Sequence, residues 1–338
     1  MNKVRVGIVG AGIGYLHAQS VRKCPDAEPV AICDVNEARA QRVAREFDIP
    51  RVYTDYNKML QDGGMDAVAV CTPNVYHAPQ AIAAFEAGLH VICEKPLSVN
   101  AVEGAKMVEA AKKAGKLLMM GFNNRFRADT QLLKKYIEAG ELGEIYYAKT
   151  GWIRRKCLHW LSGWFINKEL SGGGPLIDIG VHVLDLTLWL MGNPKPVSVM
   201  GSSYAKFGPN RFKGTDTPFT VEDLAAGFVK LENGATVFLE ASWESHIAKE
   251  QVYVNLVGTE GGADLDPFRI YKDMDGAPVD ISPQFQPVSG HEMEMKHFIA
   301  CVKGETECIS TGEHGLHIMQ ILDALYQSAQ TGMSVSIS

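Results

Sequence analysis

The residue types best suited to moving a proton sit in Gly172-Gly173-Gly174-Pro175-Leu176-Ile177-Asp178-Ile179-Gly180-Val181-His182-Val183-Leu184-Asp185. Three glycines relax the chain, and Pro175 suits a first helical position, where no backbone N–H is needed. A helix starting there places Asp178, His182 and Asp185 at i, i+4 and i+7, on one face. Leu184, Leu186, Leu188, Trp189 and Leu190 crowd the remainder. The plainer reading is a core histidine held by an aspartate one turn away. The functional reading is an acid–imidazole pair facing a cleft, with His182 as general base, since an unperturbed imidazole titrates near pH ~6.5.

A second reactive group is Lys95, in Glu94-Lys95-Pro96 after the apolar run His90-Val91-Ile92-Cys93. A lysine fixed at a strand's carboxyl end is partly dehydrated and can polarise a hydroxyl or carbonyl. The plainer alternative is a surface lysine paired with Glu94. The Lys95–Pro96 bond can be cis or trans, and the sequence leaves that open.

These groups need elements to position them. Val4-Arg5-Val6-Gly7-Ile8-Val9 reads as a strand, followed by Gly10-Ala11-Gly12-Ile13-Gly14 and a helical pattern. Strand, glycine turn and helix are the context in which backbone N–H groups can meet a pyrophosphate. The usual G-x-G-x-x-G spacing is here G-x-G-x-G, one residue short. Asp34 ends the next strand, about 20 residues on, where an acid accepts ribose hydroxyls and repels a 2′-phosphate. No arginine follows it immediately, so NAD is expected and NADP is disfavoured. Further strands end at Thr72-Pro73-Asn74, ahead of His77, and at Asn123-Asn124-Arg125. In a parallel sheet, ligands bind at those strand ends. A doubly wound parallel sheet over residues 1–122 follows.

From residue 123 to 338 strands dominate: Glu144–Ile153, Val197–Lys206, Leu224–Leu231, Ala235–Ser242, Gln251–Val257 and a short tail. Asn233-Gly234 marks a hairpin. This is expected to be an α/β substrate domain with an open, mostly antiparallel sheet. Arg154 and Trp164, in the loop before the glycine helix, suit a polyhydroxylated ring, or plain packing.

Composition narrows the partners. A net charge of -6, with no long basic run, argues against nucleic acid and membrane surfaces. No apolar stretch is read as long enough to span a membrane, and a strand beginning within a few residues of Met1 leaves no room for a signal peptide, so a cytoplasmic protein is expected. The 7 cysteines form no CxxC pair and are read as reduced thiols, with no metal site.

With Gly10-Ala11-Gly12-Ile13-Gly14, Asp34, Glu94-Lys95-Pro96 and Asp178-x3-His182 in this order, the chain resembles the Gfo/Idh/MocA oxidoreductase family over nearly its whole length. The resemblance implies an N-terminal Rossmann domain and a C-terminal domain with an open sheet. It implies that Lys95 lies by the nicotinamide and substrate, that Asp178 orients a substrate hydroxyl, and that His182 transfers the proton. Gly10, Gly12, Ile13, Gly14, Asp34, Thr72, Pro73, Asn74, His77, Glu94, Lys95 and Asn123 are expected at the cofactor. Lys95, Arg125, Arg154, Trp164, Asp178 and His182 are expected at a polyol substrate. The implied reaction is oxidation of a secondary alcohol on a sugar, sugar acid or cyclitol, in a homodimer or homotetramer formed through the C-terminal sheet. Two alternatives stay open: an NAD-dependent glycosidase using transient oxidation, and an NAD-binding sugar sensor without turnover.

Overall fold

The computed structural model describes residues 3–161 and 163–337. The chain divides into two compact units, Met1–Phe126 with Val288–Leu316, and Arg127–Pro287 with His317–Ser338.

The first unit carries a six-stranded parallel sheet. In chain order its strands are Val4–Val9, Ala27–Cys33, Arg51–Tyr53, Ala67–Val70, His90–Glu94 and Leu118–Gly121, and in space they run 3-2-1-4-5-6. That order is the Rossmann one, with its switch point between the first and fourth strands. Val6, Ile8, Val68, Val70, Val91 and Ile92 are fully buried, as a parallel sheet covered on both faces requires. The strand Arg51–Tyr53 is absent from the sequence reading; three residues are too few for a period to show.

A division at 122/123 follows chain order, but residues 288–316 fold with the first unit. Met295, Phe298 and Ile299 of helix Gly290–Val302 enter the same core as Val4, Ala18 and Val21. Met120 N–H donates to the Ser310 carbonyl at 2.7 Å. The apolar face of that helix finds its buried partner far away in sequence.

The second unit holds a nine-stranded sheet in which one neighbouring pair, Ile145–Ile153 with Thr236–Ser242, is parallel and the others are antiparallel. Leu224–Leu231 and Thr236–Ser242 form the expected Asn-Gly hairpin, with Gly234 at φ 85°. Three strands were not anticipated: Gly262–Leu265, Phe268–Met274 and Ala277–Ile281. Their turn signal was present in Asp275-Gly276, both at positive φ, but the strands themselves are short and polar.

The stretch Lys168–Leu190 is long and apolar enough to cross a membrane by length and composition, which corrects the expectation that none would be. Because 89% of its apolar window is buried within the protein, it is a core segment.

Candidate functional site

In the first unit the glycine loop occupies the switch point. Gly10 has φ 91°, and a Cβ there would lie 2.4 Å from the Cys71 carbonyl oxygen, at the end of the neighbouring strand. A Cβ on Gly12 would meet nothing within 4 Å, so the backbone there is open to a ligand. A Cβ on Gly14 would press on Ile8 at 2.9 Å, so this glycine lets helix Gly14–Lys23 lie close against the sheet. The tight turn, the open approach and the close helix packing are all supplied, with one residue fewer than usual. Ile13, 42% exposed, precedes the first helical residue.

Asp34 is buried and accepts from Ala11 N–H and Asn36 N–H, each at 2.8 Å. It therefore ties the glycine loop to the end of the second strand. The Arg39 guanidinium lies 3.7 Å from Asp34 Oδ2, a cation that the immediate sequence after Asp34 did not reveal. It reaches back from the first turn of helix Glu37–Glu46.

Thr72 and Pro73 are half-buried and Asn74 is buried at the end of the fourth strand. His77 is fully buried; its ring nitrogens face the carbonyls of Pro96 at 2.7 Å and Thr72 at 2.8 Å. Burial holds its pKa below the usual imidazole range despite those carbonyls. Expected at the cofactor, His77 instead fastens two strand-end loops together. Arg125 is corrected likewise. It is 1% exposed, and its guanidinium donates to the Ile309 carbonyl and lies 3.3 Å from His314 Nδ1, so it serves the interior rather than a substrate.

Lys95 is half-buried at the end of strand His90–Glu94, and its bond to Pro96 is cis. Behind it lies a charged network that sequence reasoning missed. Glu94, 6% exposed, meets His17 Nε2 at 2.7 Å. Burial pushes the Glu94 carboxyl up, but the bond and charge of His17, with Lys95 and His291 adding, bring it down to about 2. Burial pushes His17 down, and Glu94 more than reverses this, so its pKa is raised. Asn123 donates to His291 Nε2 at 3.1 Å, and His291 Nδ1 lies 3.8 Å from the buried Glu294. His17 lies three residues past Gly14 on the buried face of its helix, which was the available signal.

In the second unit Glu222 anchors the helix that carries Asp178 and His182. Its carboxylate accepts from Gly174 N–H at 2.9 Å, Leu176 N–H at 3.1 Å and the Tyr326 hydroxyl at 3.0 Å. Anionic oxygen at a helix start is favourable there. The glycines supply room: a Cβ on Gly174 would lie 2.1 Å from the Glu222 carbonyl oxygen. Leu176–Gly180 is a π-turn, and the α-helix proper is Val181–Leu190. This corrects the uniform i, i+4, i+7 face. π-turns inside helices often mark functional sites.

Within Leu176–Leu190 every residue is buried except Asp178 and His182, which are half-buried. Asp185, at 1% exposure, belongs to the core. Two tryptophans unflagged in the sequence brace the pair. Trp243 Nε1 donates to Asp178 Oδ2 at 3.0 Å, and the Trp152 ring lies 5.9 Å from that of His182. The Arg154 guanidinium sits 5.0 Å above Trp152, so His182, Trp152 and Arg154 are consecutive neighbours. Trp164 stacks on Phe165 at 3.9 Å, a contact that shows it packed.

Residues 4–122 match an oxidoreductase family model with an NAD-binding Rossmann fold, and residues 130–264 match the GFO/IDH/MocA C-terminal domain. The chain belongs to the Gfo/Idh/MocA family. A D-glucoside 3-dehydrogenase of Escherichia coli K12 is 37% identical over 345 residues, covering 99% of this chain and 97% of that one. A scyllo-inositol 2-dehydrogenase (NAD(+)) of Bacillus subtilis 168 is 30% identical, over 99% of this chain and 97% of its own length. A levoglucosan dehydrogenase solved in complex with NADH matches the whole chain with a TM-score of 0.87 at 26% identity, and all of that chain is covered. As a Gfo/Idh/MocA member the chain is an NAD-binding oxidoreductase. Its residues fit the dinucleotide: the open space over Gly12 would admit a pyrophosphate, and Asp34 would offer a fixed carboxylate to ribose hydroxyls.

Proposed function

We propose that this protein is an NAD-dependent dehydrogenase oxidising a secondary ring hydroxyl of a sugar, sugar acid or cyclitol, with the 3-hydroxyl of a D-glucoside as the foremost candidate. The observation that carries this reading is the apolar helix on which Asp178 and His182 alone are only half-buried, each beside a tryptophan. The choice of glucoside rests on the E. coli relative. His182 accepts the hydroxyl proton as general base. Lys95 supplies a cationic donor suited to negative charge developing on a substrate oxygen. Asp178, its Oδ2 held by Trp243, keeps the hydroxyl in line. NAD, when bound, would supply the hydride acceptor, the alcohol would become a ketone, and His182 would pass on the released proton. Arg154 and Trp152 offer a donor and an aromatic face to the sugar ring. The net charge of -6 is consistent with a neutral polyol rather than nucleic acid as partner.

NADH formation with a panel of glucosides, free sugars and cyclitols tests the reading. Sustained NADH with at least one of them is expected. Release of aglycone without NADH would assign the protein to glycoside cleavage instead.

The cofactor choice has its own test. Asp34→Ala removes the ribose acceptor and leaves Arg39 to attract a 2′-phosphate. Both cofactors should weaken, because Ala11 and Asn36 also lose their acceptor. The NADP-to-NAD affinity ratio should rise about tenfold or more, as expected for a lost charge repulsion of ~1.4 kcal/mol. An unchanged ratio by fluorescence titration, or a wild type preferring NADP, would refute the assignment.

A second copy of the chain covers the open face of the nine-stranded sheet. There Met200, Phe228 and Phe238 stand directly opposite one another across three strands, and Met200 and Phe228 are 56% and 50% exposed. Light scattering should give a multiple of 37.0 kDa, with Phe228→Glu shifting it toward the monomer. A monomeric wild type would contradict this.

A further inference from the structure

We propose a zinc-binding site formed by His297, Cys301 and Cys308, outside the groups used for the redox chemistry. Helix Gly290–Val302 places His297 and Cys301 four residues apart, on one face. The chain then turns back and brings Cys308 to the same point. One ligand atom from each residue lies within 4.8 Å of the other two, and all three side chains are partly exposed. The sequence pattern H-x3-C-x6-C has no paired-cysteine knuckle, so spacing alone gave no sign of it.

The geometry is close to what zinc needs. With Zn–S near 2.3 Å and Zn–N near 2.0–2.1 Å, a tetrahedral site has an S···N edge of roughly 3.5 Å and an S···S edge of roughly 3.8 Å. Cys301 Sγ lies 3.4 Å from His297 Nε2. The remaining separations need to draw in by about 1.3 Å at most. The tautomer is also right. Ile309 N–H donates to His297 Nε2 at 3.2 Å, so that nitrogen carries a lone pair and the ring is set up to ligate through it. Zinc would take over this lone pair from a long hydrogen bond. Two thiolates and an imidazole are a borderline-soft set that selects zinc over magnesium or calcium. Partial exposure leaves the fourth position to water. Such an ion would clamp the end of the helix to the segment 308–310, whose Ser310 hydroxyl donates to the Met120 carbonyl at 2.8 Å.

The test uses the full-length protein, reduced with a phosphine and stripped with a chelator, with Co2+ as a spectroscopic probe. One equivalent should produce thiolate-to-cobalt charge-transfer bands and tetrahedral ligand-field bands, and one equivalent of Zn2+ should abolish them. Cys308→Ser should weaken Co2+ binding at least 100-fold. A measurement on the wild type alone is independent of any variant's folding: stoichiometric Zn2+ should slow alkylation of both Cys301 and Cys308 at least tenfold, read by peptide mass spectrometry. Absence of the bands from reduced wild type, an unchanged Co2+ affinity in a folded Cys308→Ser protein, or alkylation unaffected by Zn2+ would each overturn the proposal.

Discussion

His182→Ala should lower turnover on the true substrate by about 10² or more, and Lys95→Ala should do the same, while NAD should still bind to the His182 variant. A factor of 10² corresponds to about 2.7 kcal/mol of lost transition-state stabilisation, the ordinary worth of one positioned acid–base group. On the proposed roles the effect should fall on kcat rather than KM, because both groups would act on charge that develops only as the O–H bond breaks. The double variant adds a sharper criterion. If the two residues serve one oxygen, losing both costs little more than losing the worse one, since groups acting as a unit are not additive. Independent roles would give multiplied losses, near 10⁴ from these same values. Wild-type turnover in either single variant would remove that residue from the chemistry. The Trp152 indole, itself donating to Glu250 at 3.0 Å, gives a further check: if it fixes the His182 ring, Trp152→Phe keeps most activity because an aromatic face remains.

Glu94→Gln should destabilise the protein by about 3 kcal/mol or more, the scale for removing one partner of a buried ion pair. His17 is 2% exposed and would lose its carboxylate, with the nearby Glu294 remaining. The pH dependence separates this loss from simple mispacking. The Glu94 pKa is depressed to about 2, so its stabilising effect is complete above its unfolded value of roughly 4.3 and is lost as pH falls toward 2. His17 is raised, so its effect is complete below roughly 6.5 and is lost as pH climbs through its folded value. The gap between wild type and Glu94→Gln in urea unfolding should therefore be widest between about pH 4.5 and 6.5, and shrink on both sides. A gap independent of pH would mean that the pair is not ionised in the folded protein.

What the sequence made readable was local. The strand–glycine–helix turn at Gly10–Gly14, the Asn-Gly hairpin and the buried parallel strands are each fixed by neighbours a few residues apart, and they appear where expected. Asp178 and His182 were also locally visible as polar positions on an apolar helix, although the π-turn at Leu176–Gly180 alters their spacing around its axis. Contacts between distant segments were not readable. Arg125 looked like a strand-end cation, but its carbonyl partner Ile309 lies 184 positions on. His17 and Glu94 are 77 positions apart, and nothing near either one announces the other. Helix Gly290–Val302 has an apolar face that does not say which core will take it. The same limit hid the tryptophan braces, since Trp243 reaches Asp178 across 65 positions.

The most direct measurement follows the hydride itself. A methyl D-glucoside carrying deuterium at C3 is incubated with NAD and the purified protein, and the reduced cofactor is analysed by mass spectrometry. One deuterium should appear in NADH for each 3-keto product formed, with transfer lost together with turnover in His182→Ala. NADH without label would move the oxidised carbon elsewhere on the ring, and methanol released with no net NADH, or no reduction with any sugar or cyclitol, would contradict dehydrogenase chemistry altogether.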